Sequence, residues 1–304
     1  MSSRFDSLAQ RLPGALRLDE PMARHSSFKI GGPAEAWAEP ADEAALLACL
    51  SYATEIDAPV TVLTGGTNVL VRDGGIPGLV LSLGAGLEGL NIDGERVQAG
   101  AAINLALLAR KCSLAGLSGL AWAVGIPGTL GGGLVMNAGA HGGELKDVVQ
   151  RVRLVLDGQA QDWSAQDCGF AYRHSRFKEL APGRCVIVGA ELALKPCDVA
   201  ALKAQMDEAL AKRKASQPLE LPNAGCVFKN PEGASAGKLI EDCGLKGRQQ
   251  GGARISEKHA NFVVNGGGAK AADVLVLMAE AKQAVLQRYG GTLKEDILIL
   301  GVDA

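Results

Sequence analysis

Two stretches of this sequence combine glycine with small hydrogen-bonding residues in an order suited to an anionic ligand. LTGGTNVLV (63–71) follows directly on the apolar run VTVL, and GIPGTLGGG (125–133) leads into MNAGA (136–140). Glycine admits positive φ and has no Cβ, so successive backbone N–H groups can converge on anionic oxygens. The candidate backbone contacts are Gly65, Gly66, Gly125, Ile126, Pro127, Gly128, Gly131, Gly132 and Gly139. Thr67, Asn68, Thr129 and Asn137 would add side-chain hydrogen bonds. Few cations flank either stretch, which suits a large cofactor held mainly by backbone better than a bare phosphate clamp. Either stretch alone could be an ordinary loop; two in one chain favour binding.

Other motifs fail on context. Gly84, Gly86 and Gly89 match G-x-G-x-x-G after a strand pattern, but that fingerprint must open a helix that receives a pyrophosphate. Here NIDGERVQAGA reads as turn and strand, and Asn104 stands where an acidic residue is needed. GASAGKL (233–239) is one residue short of a P-loop and has Leu239 in place of the magnesium-binding hydroxyl. The four histidines, 25, 141, 174 and 259, form no metal-spaced pair.

The chain has 304 residues, enough for two or three compact units. Its 31 Lys and Arg against 33 Asp and Glu leave a net charge of -2. That balance argues against a nucleic-acid coat or a polybasic membrane binder, both of which need excess cations. Seven scattered cysteines, odd in number and without C-x-x-C, argue against a disulfide framework and a zinc cluster. Most read as small core residues. The first twenty residues interrupt every apolar run with a charge or Pro13, so they lack a secretory core and the protein is expected in the cytoplasm. From Cys112 to Gly143 no side chain is charged, a length that could cross a bilayer. Glycine and Pro127 recur within it, which would leave backbone groups unpaired in hydrocarbon, and it reads as a buried loop.

The elements that must position these loops follow from periodicity. ADEAALLACLSYA after Pro40 and INLALLARKCSLAG read as amphipathic helices, and VTVL, GLVLSL and RVQAGA as short strands. VQRVRLVLDGQAQDW reads as a hairpin turning at Asp157-Gly158, which suits an α+β arrangement better than a doubly wound one. Beyond it come a polar-faced helix stopped by Pro218, a helix at SAGKLIEDCG, a strand at NFVVN, a long helix from Ala269 to about Arg288, and a final strand LKEDILILG carrying Glu295 and Asp296. The helix before Pro218 and the LELPNAG segment after it make the best domain boundary.

In order along nearly the whole chain, HSSFKIGGPA (25–34), LTGGTNVLVRDGG, GIPGTLGGGLVMNAGA, FAYRHSRFK (170–178), PNAGCVFKNP (222–231), AGKLIEDCGLKG and ISEKHANFVVN resemble the UDP-N-acetylenolpyruvoylglucosamine reductase family in its shorter form. The resemblance implies a two-lobed FAD-binding fold of the vanillyl-alcohol oxidase type with a C-terminal α+β substrate domain. The expected divisions are 1–85, 86–215 and 216–304. It implies that NADPH reduces FAD and that the enolpyruvyl ether of a UDP-sugar becomes the lactyl ether of UDP-N-acetylmuramate, a step of peptidoglycan precursor synthesis. No metal and no obligate protein partner are implied.

By the same resemblance, Tyr172-Arg173 would face the substrate, with Arg173 stabilising the charge that develops on its carboxylate. The family pattern places Ser as proton donor where this chain has Cys226; a thiol of ordinary pKa, about 8.5, is still mostly protonated at neutral pH and can donate. A C-terminal Glu of the family aligns with Asp296, Glu295 lying one position earlier, and neighbours on a regular strand point to opposite faces. Asp296 is favoured, with Glu295 as the alternative. Lys229 and Asn230 resemble residues that contact the nucleotide sugar, and Lys238, Lys258 and His259 are vaguer candidates. Two other readings stay open on the sequence: a flavin oxidase of the same broad fold, and an inactive nucleotide-sugar binder that keeps the loops for structure.

Overall fold

The computed structural model describes residues 4–12 and 14–304. It divides into two compact units, one made of 1–19, 35–65 and 78–212, the other of 20–34, 66–77 and 213–304. Both units are built from separate stretches of the chain, and the last change from the first to the second falls within the helix Val199–Ser216.

In the first unit, α1 (Asp6–Arg11) precedes α2 (Glu43–Glu55), which begins where Asp42 accepts a hydrogen bond from Ala45 N–H at 2.8 Å. A cap of this kind contributes about 1 kcal/mol. One face of α2 buries Leu46, Cys49, Leu50 and Ala53, at the three- and four-residue spacing of an amphipathic helix. The next helix, α3 (Leu105–Leu114), is capped in the same way by Asn104, whose side chain accepts from Leu107 N–H at 3.0 Å. Asn104 thus starts a helix and has no part in a dinucleotide fingerprint. Gly84 to Gly89 likewise open a short 3-10 turn at Ala85–Leu87 and then the strand Leu90–Asp93, as their context predicts.

A five-stranded antiparallel sheet forms the middle of this unit, in the order Gln159–Ser164, Val149–Leu156, Cys185–Ala193, Arg96–Gly100, Leu90–Asp93. Its first two strands are the expected hairpin, with Leu156 opposite Gln159 and Asp157 at φ +50. A four-stranded sheet, in the order Leu16–Pro21, Pro33–Ala38, Ile76–Leu81, Val60–Val62, lies mainly in the same unit. The core is mostly aliphatic and includes Cys49, Cys112 and Cys168, whose thiols burial pushes up to about 11, 11 and 12. These three cysteines are core residues, and no disulfide joins any of the seven among the described residues.

The uncharged segment 112–143 is more ordered than a loop. It holds a 3-10 turn at Ala121–Gly125 and a seven-residue helix, α4 (Leu130–Met136), capped by Thr129. Three glycines sit in α4 although each costs a helix about 1 kcal/mol relative to alanine. Packing explains two of them: a Cβ on Gly131 would lie 3.0 Å from Ala101 Cβ, and one on Gly133 2.9 Å from Leu145 Cδ1. No helix among the described residues is long and apolar enough to cross a membrane.

The helix α5 (Val199–Ser216) leads into the second unit, whose sheet has the order Asn223–Cys226, Phe262–Asn265, Ala253–Ile255, Gln249–Gln250. Two helices, α6 (Ala236–Asp242) and α7 (Ala271–Tyr289), accompany it around a separate core that includes Phe28, Leu70, Phe228, Ile240, Val274 and Leu277. The short strands Val69–Val71 and Leu298–Leu300 pair in parallel. Asp73, from the RDGG segment, accepts hydrogen bonds from Ala271 and Ala272 N–H at 2.8 and 3.0 Å and so caps α7.

Candidate active site

In the first unit the two glycine-rich stretches meet. A Cβ on Gly65 would stand 2.7 Å from Gly128 Cα, closer than real Cβ atoms come, so both chains must be bare there. Thr64 and Thr129 share a hydrogen bond between their hydroxyls at 2.7 Å. Gly128 has φ +102, where a side chain would be strained, and its carbonyl accepts from Leu105 N–H at 3.0 Å. Ala101 and Ile103 carbonyls accept from Gly131 and Leu130 N–H, and Thr129 Oγ1 from Gly132 N–H. The backbone N–H groups of Gly65, Gly128 and Thr129 have no acceptor among the described residues. These are donors of the kind the sequence pattern anticipates.

Two of the expected side-chain donors are used differently. Asn137 ends α4 in the left-handed region at φ +43 and is 1% exposed. Its Nδ2 donates to Ala171 O at 3.0 Å and Glu144 Oε2 at 3.1 Å, and its Oδ1 accepts from Lys146 N–H at 3.0 Å. Its amide is therefore turned into the protein. Gly139 faces Glu144 across a two-residue strand pair. A Cβ on it would lie 2.7 Å from Glu144 Cγ, so its lack of a side chain serves packing. Asn68, in the second unit, donates through Nδ2 to Asp296 O at 3.0 Å and accepts from Leu298 N–H at 2.9 Å. It ties the end of the GGTN stretch to the segment bearing the C-terminal carboxylates. Gly66 O accepts from Ser27 N–H at 2.9 Å, which anchors the HSSF segment to the same stretch, next to the half-buried Thr67.

Tyr172 and Arg173 occupy the centre of a tight turn. Ala171 and His174 exchange two backbone hydrogen bonds, at 3.0 and 3.1 Å, and Arg173 takes φ +52. Tyr172 is exposed, and the Arg173 guanidinium carbon lies 5.9 Å from the Tyr172 ring centre.

In the second unit, Gly225 at φ +80 precedes Cys226, which pairs with Phe262 after a register shift from Asn223. Asn261, 2% exposed, grips the following residues. Its carbonyl accepts from Val227 N–H at 2.8 Å, its Oδ1 from Phe228 N–H at 3.0 Å, and its Nδ2 donates to Phe228 O at 2.8 Å. Opposite, Asp296 N–H donates to Val227 O at 2.9 Å and Lys229 N–H to Lys294 O at 2.9 Å. The residue bearing the candidate carboxylate thus pairs with the residue beside the candidate thiol.

Glu295 and Asp296 precede the last strand instead of lying on it, since that strand begins at Leu298. Strict face alternation along LKEDILILG therefore does not decide between them, and their surroundings differ. Glu295 forms an ion pair with Lys282 of α7. Burial alone would raise its pKa, but the Lys282 ammonium and a backbone hydrogen bond together outweigh it and hold the carboxyl below its usual range. Asp296 Oδ1 is fully buried.

The remaining candidates are held by protein groups. Asn230 Oδ1 accepts from Ala236 N–H at 3.0 Å, Lys238 pairs with Asp242 at 2.5 Å, and Lys258 Nζ donates to Lys214 O at 2.6 Å. Burial pulls His259 below its ordinary pKa, and its Nδ1 accepts from Asn261 N–H at 3.2 Å. No group of His, Cys, Asp and Glu suited to a metal occurs among the described residues.

Residues 34–161 match the family model of an FAD binding domain, and 217–300 that of the C-terminal domain of UDP-N-acetylenolpyruvoylglucosamine reductase. The chain is 46% identical over 297 residues to the enzyme of that name from Geobacter metallireducens, covering 98% of both chains. It is 44% identical to UDP-N-acetylenolpyruvoylglucosamine reductase 2 from Symbiobacterium thermophilum, covering 99% of this chain and 97% of the relative. The chain belongs to the UDP-N-acetylenolpyruvoylglucosamine reductase family. The crystal structure of the family member from Thermus caldophilus superposes with a TM-score of 0.81 at 34% identity, over 94% of this chain and 98% of that one.

The architecture is an FAD-binding domain joined to the family's C-terminal domain. FAD is its cofactor, and the protein is an FAD-dependent oxidoreductase. The backbone donors at Gly65, Gly128 and Thr129, with no side chain at Gly65 or Gly128 to block approach, fit a pyrophosphate-bearing group. Sequence reading missed Asn261 and Asp73, which position the chemistry-bearing segments. The Asn in SEKHANF and the Asp in RDGG were the available signals.

Proposed function

We propose that the protein reduces the enolpyruvyl ether of UDP-N-acetylglucosamine to the lactyl ether of UDP-N-acetylmuramate with NADPH as reductant. FAD, when bound, would supply the hydride-transfer chemistry between NADPH and the enolpyruvyl group. The protein's own groups then manage charge and protons. Hydride addition leaves negative charge delocalised onto the substrate carboxylate, which the Arg173 guanidinium stabilises. The Cys226 thiol gives its proton to the adjacent carbon and completes the lactyl group. Asp296 is the C-terminal carboxylate of the reaction, while Tyr172, Lys229 and Asn230 contact the nucleotide sugar. Gly66, Thr67, Gly125, Ile126, Pro127 and Gly132 join Gly65, Gly128 and Thr129 in holding the cofactor.

The observation that carries this reading is the pairing of Asp296 N–H with Val227 O, which brings the carboxylate-bearing and thiol-bearing segments side by side. The divisions 1–85, 86–215 and 216–304 are part of the proposal. They are supported by the five-stranded sheet, which falls wholly within the second, and by the C-terminal family match from 217. A small-molecule substrate and a cytoplasmic location, with no obligate protein partner, complete it.

The test is NADPH oxidation in the presence and absence of UDP-N-acetylglucosamine enolpyruvate, with two amide replacements. Wild type should turn NADPH over repeatedly only with that substrate. Asp296→Asn should lose at least about tenfold in kcat, of the order expected for a proton-handling group. Glu295→Gln should stay within about threefold, since Lys282 already engages that carboxylate and an exposed ion pair contributes at most about 1 kcal/mol. A loss with Glu295→Gln but not with Asp296→Asn would reverse the assignment.

A further inference from the structure

The helix that follows the cofactor loop also holds the turn that presents Arg173. The Thr129 cap at the start of α4 belongs to the GIPGTLGGG stretch; its last turn ends in Asn137. From that end two hydrogen bonds reach the turn. Asn137 Nδ2 donates to Ala171 O at 3.0 Å on one side of Tyr172-Arg173, and Ser175 Oγ donates to Val135 O at 2.6 Å on the other. Lys178 Nζ adds a third contact, to Arg173 O at 3.3 Å. Arg173 at φ +52 is in a region that residues with a side chain occupy only when their surroundings impose it. The imposing surroundings are these ties.

Asn137 has an exacting position of its own. It is 1% exposed, its two amide hydrogens go to two acceptors, and Lys146 N–H fixes the amide's orientation through Oδ1. The second acceptor is Glu144 Oε2, which also pairs with Lys146 Nζ at 2.6 Å. Lys146 most of all, then Asn137 and the positive charge of Arg173, hold the Glu144 carboxyl below its usual pKa against the opposing effect of burial. An ionised carboxylate therefore stands within electrostatic reach of Arg173 and anchors the amide that fixes its turn.

We propose that Asn137 and Glu144 are positioning residues for Arg173, coupling the end of the cofactor-loop helix to the orientation of the guanidinium. This rests on the assignment of Arg173 to the substrate half of the reaction. A misplacement of about 1 Å at a reacting centre can cost on the order of 10²-fold in rate, so the effect should fall on that half alone.

The experiment compares Asn137→Gly, Glu144→Ala and Glu144→Gln in holoenzyme, reading flavin content, loss of flavin absorbance on NADPH addition, and its return on adding UDP-N-acetylglucosamine enolpyruvate. Glycine tolerates the positive φ of position 137, so Asn137→Gly removes the amide without straining the backbone. Asn137→Gly should keep its flavin and its response to NADPH within about twofold, and its substrate-driven step should slow roughly 10- to 100-fold in limiting rate. Glu144→Ala should slow the same step. Glu144→Gln, which can still accept from Asn137, should regain at least about a third of the wild-type rate. Combining Asn137→Gly with Glu144→Ala should add little to either alone, as expected for residues in one network.

Wild-type speed in both Asn137→Gly and Glu144→Ala would overturn the proposal. So would equal slowing of both steps with loss of flavin, or a Glu144→Gln as slow as Glu144→Ala. A wild type that the substrate fails to reoxidise would instead sink the functional reading beneath it.

Discussion

Cys226→Ala is expected to retain full loss of flavin absorbance on mixing with NADPH and to recover that absorbance about 10²- to 10⁴-fold more slowly when UDP-N-acetylglucosamine enolpyruvate is added. The separation follows from the chemistry. Reduction by NADPH delivers no proton to carbon, whereas completing the lactyl group requires one. The residue proposed to give it is firmly held. Gly225 at φ +80 turns the chain into Cys226, Asn261 grips the two residues that follow, and Asp296 pairs with the first of them. Cys226→Ser keeps a donor on Cβ and should recover most of the lost rate. Stopped-flow traces with equal substrate-driven steps in wild type and Cys226→Ala would return this thiol to a packing role.

Arg173→Gln should slow the same step by about 10²- to 10³-fold, the range for removing one group aimed at developing negative charge. Gln keeps a planar hydrogen-bonding end but loses the charge. Arg173→Lys should recover only part of the rate, because an ammonium lacks the fork that grips a carboxylate in two places. Flavin content should be unchanged in both, since the turn from Ala171 to His174 is held by its own backbone bonds and by Asn137 and Ser175. An Arg173→Gln enzyme with wild-type reoxidation would remove the guanidinium from the reaction.

Much of the fold was readable because its signals are local. The apolar faces of α2 and α3 are set by residues a few positions apart, as are the hairpin at Asp157-Gly158 and the long α7. The α4 helix was not readable, because helix propensity opposes three glycines. The reason for two of them lies about thirty and twelve residues away, at Ala101 and Leu145.

The candidate site divides along the same line. Glycine-rich backbone and the residues at Arg173 and Cys226 are visible as motifs. The uses of Asn137 and Asn68 are not, since an asparagine beside glycines looks like a ligand donor until its acceptors are known. Those acceptors, Ala171 O and Asp296 O, are 34 and 228 residues away. Glu295 and Asp296 could not be separated by strand alternation because the last strand starts only at Leu298; the ion pair that engages Glu295, with Lys282, is likewise invisible in the sequence.

The account turns on which compound takes the electrons that NADPH delivers. Under strict exclusion of oxygen, NADPH should abolish the flavin absorbance of the purified holoenzyme, and one equivalent of UDP-N-acetylglucosamine enolpyruvate should restore it with formation of one equivalent of UDP-N-acetylmuramate. A flavin that NADPH reduces but that only oxygen reoxidises, with the enolpyruvyl compound recovered unchanged, would contradict the account and leave an oxidase in its place.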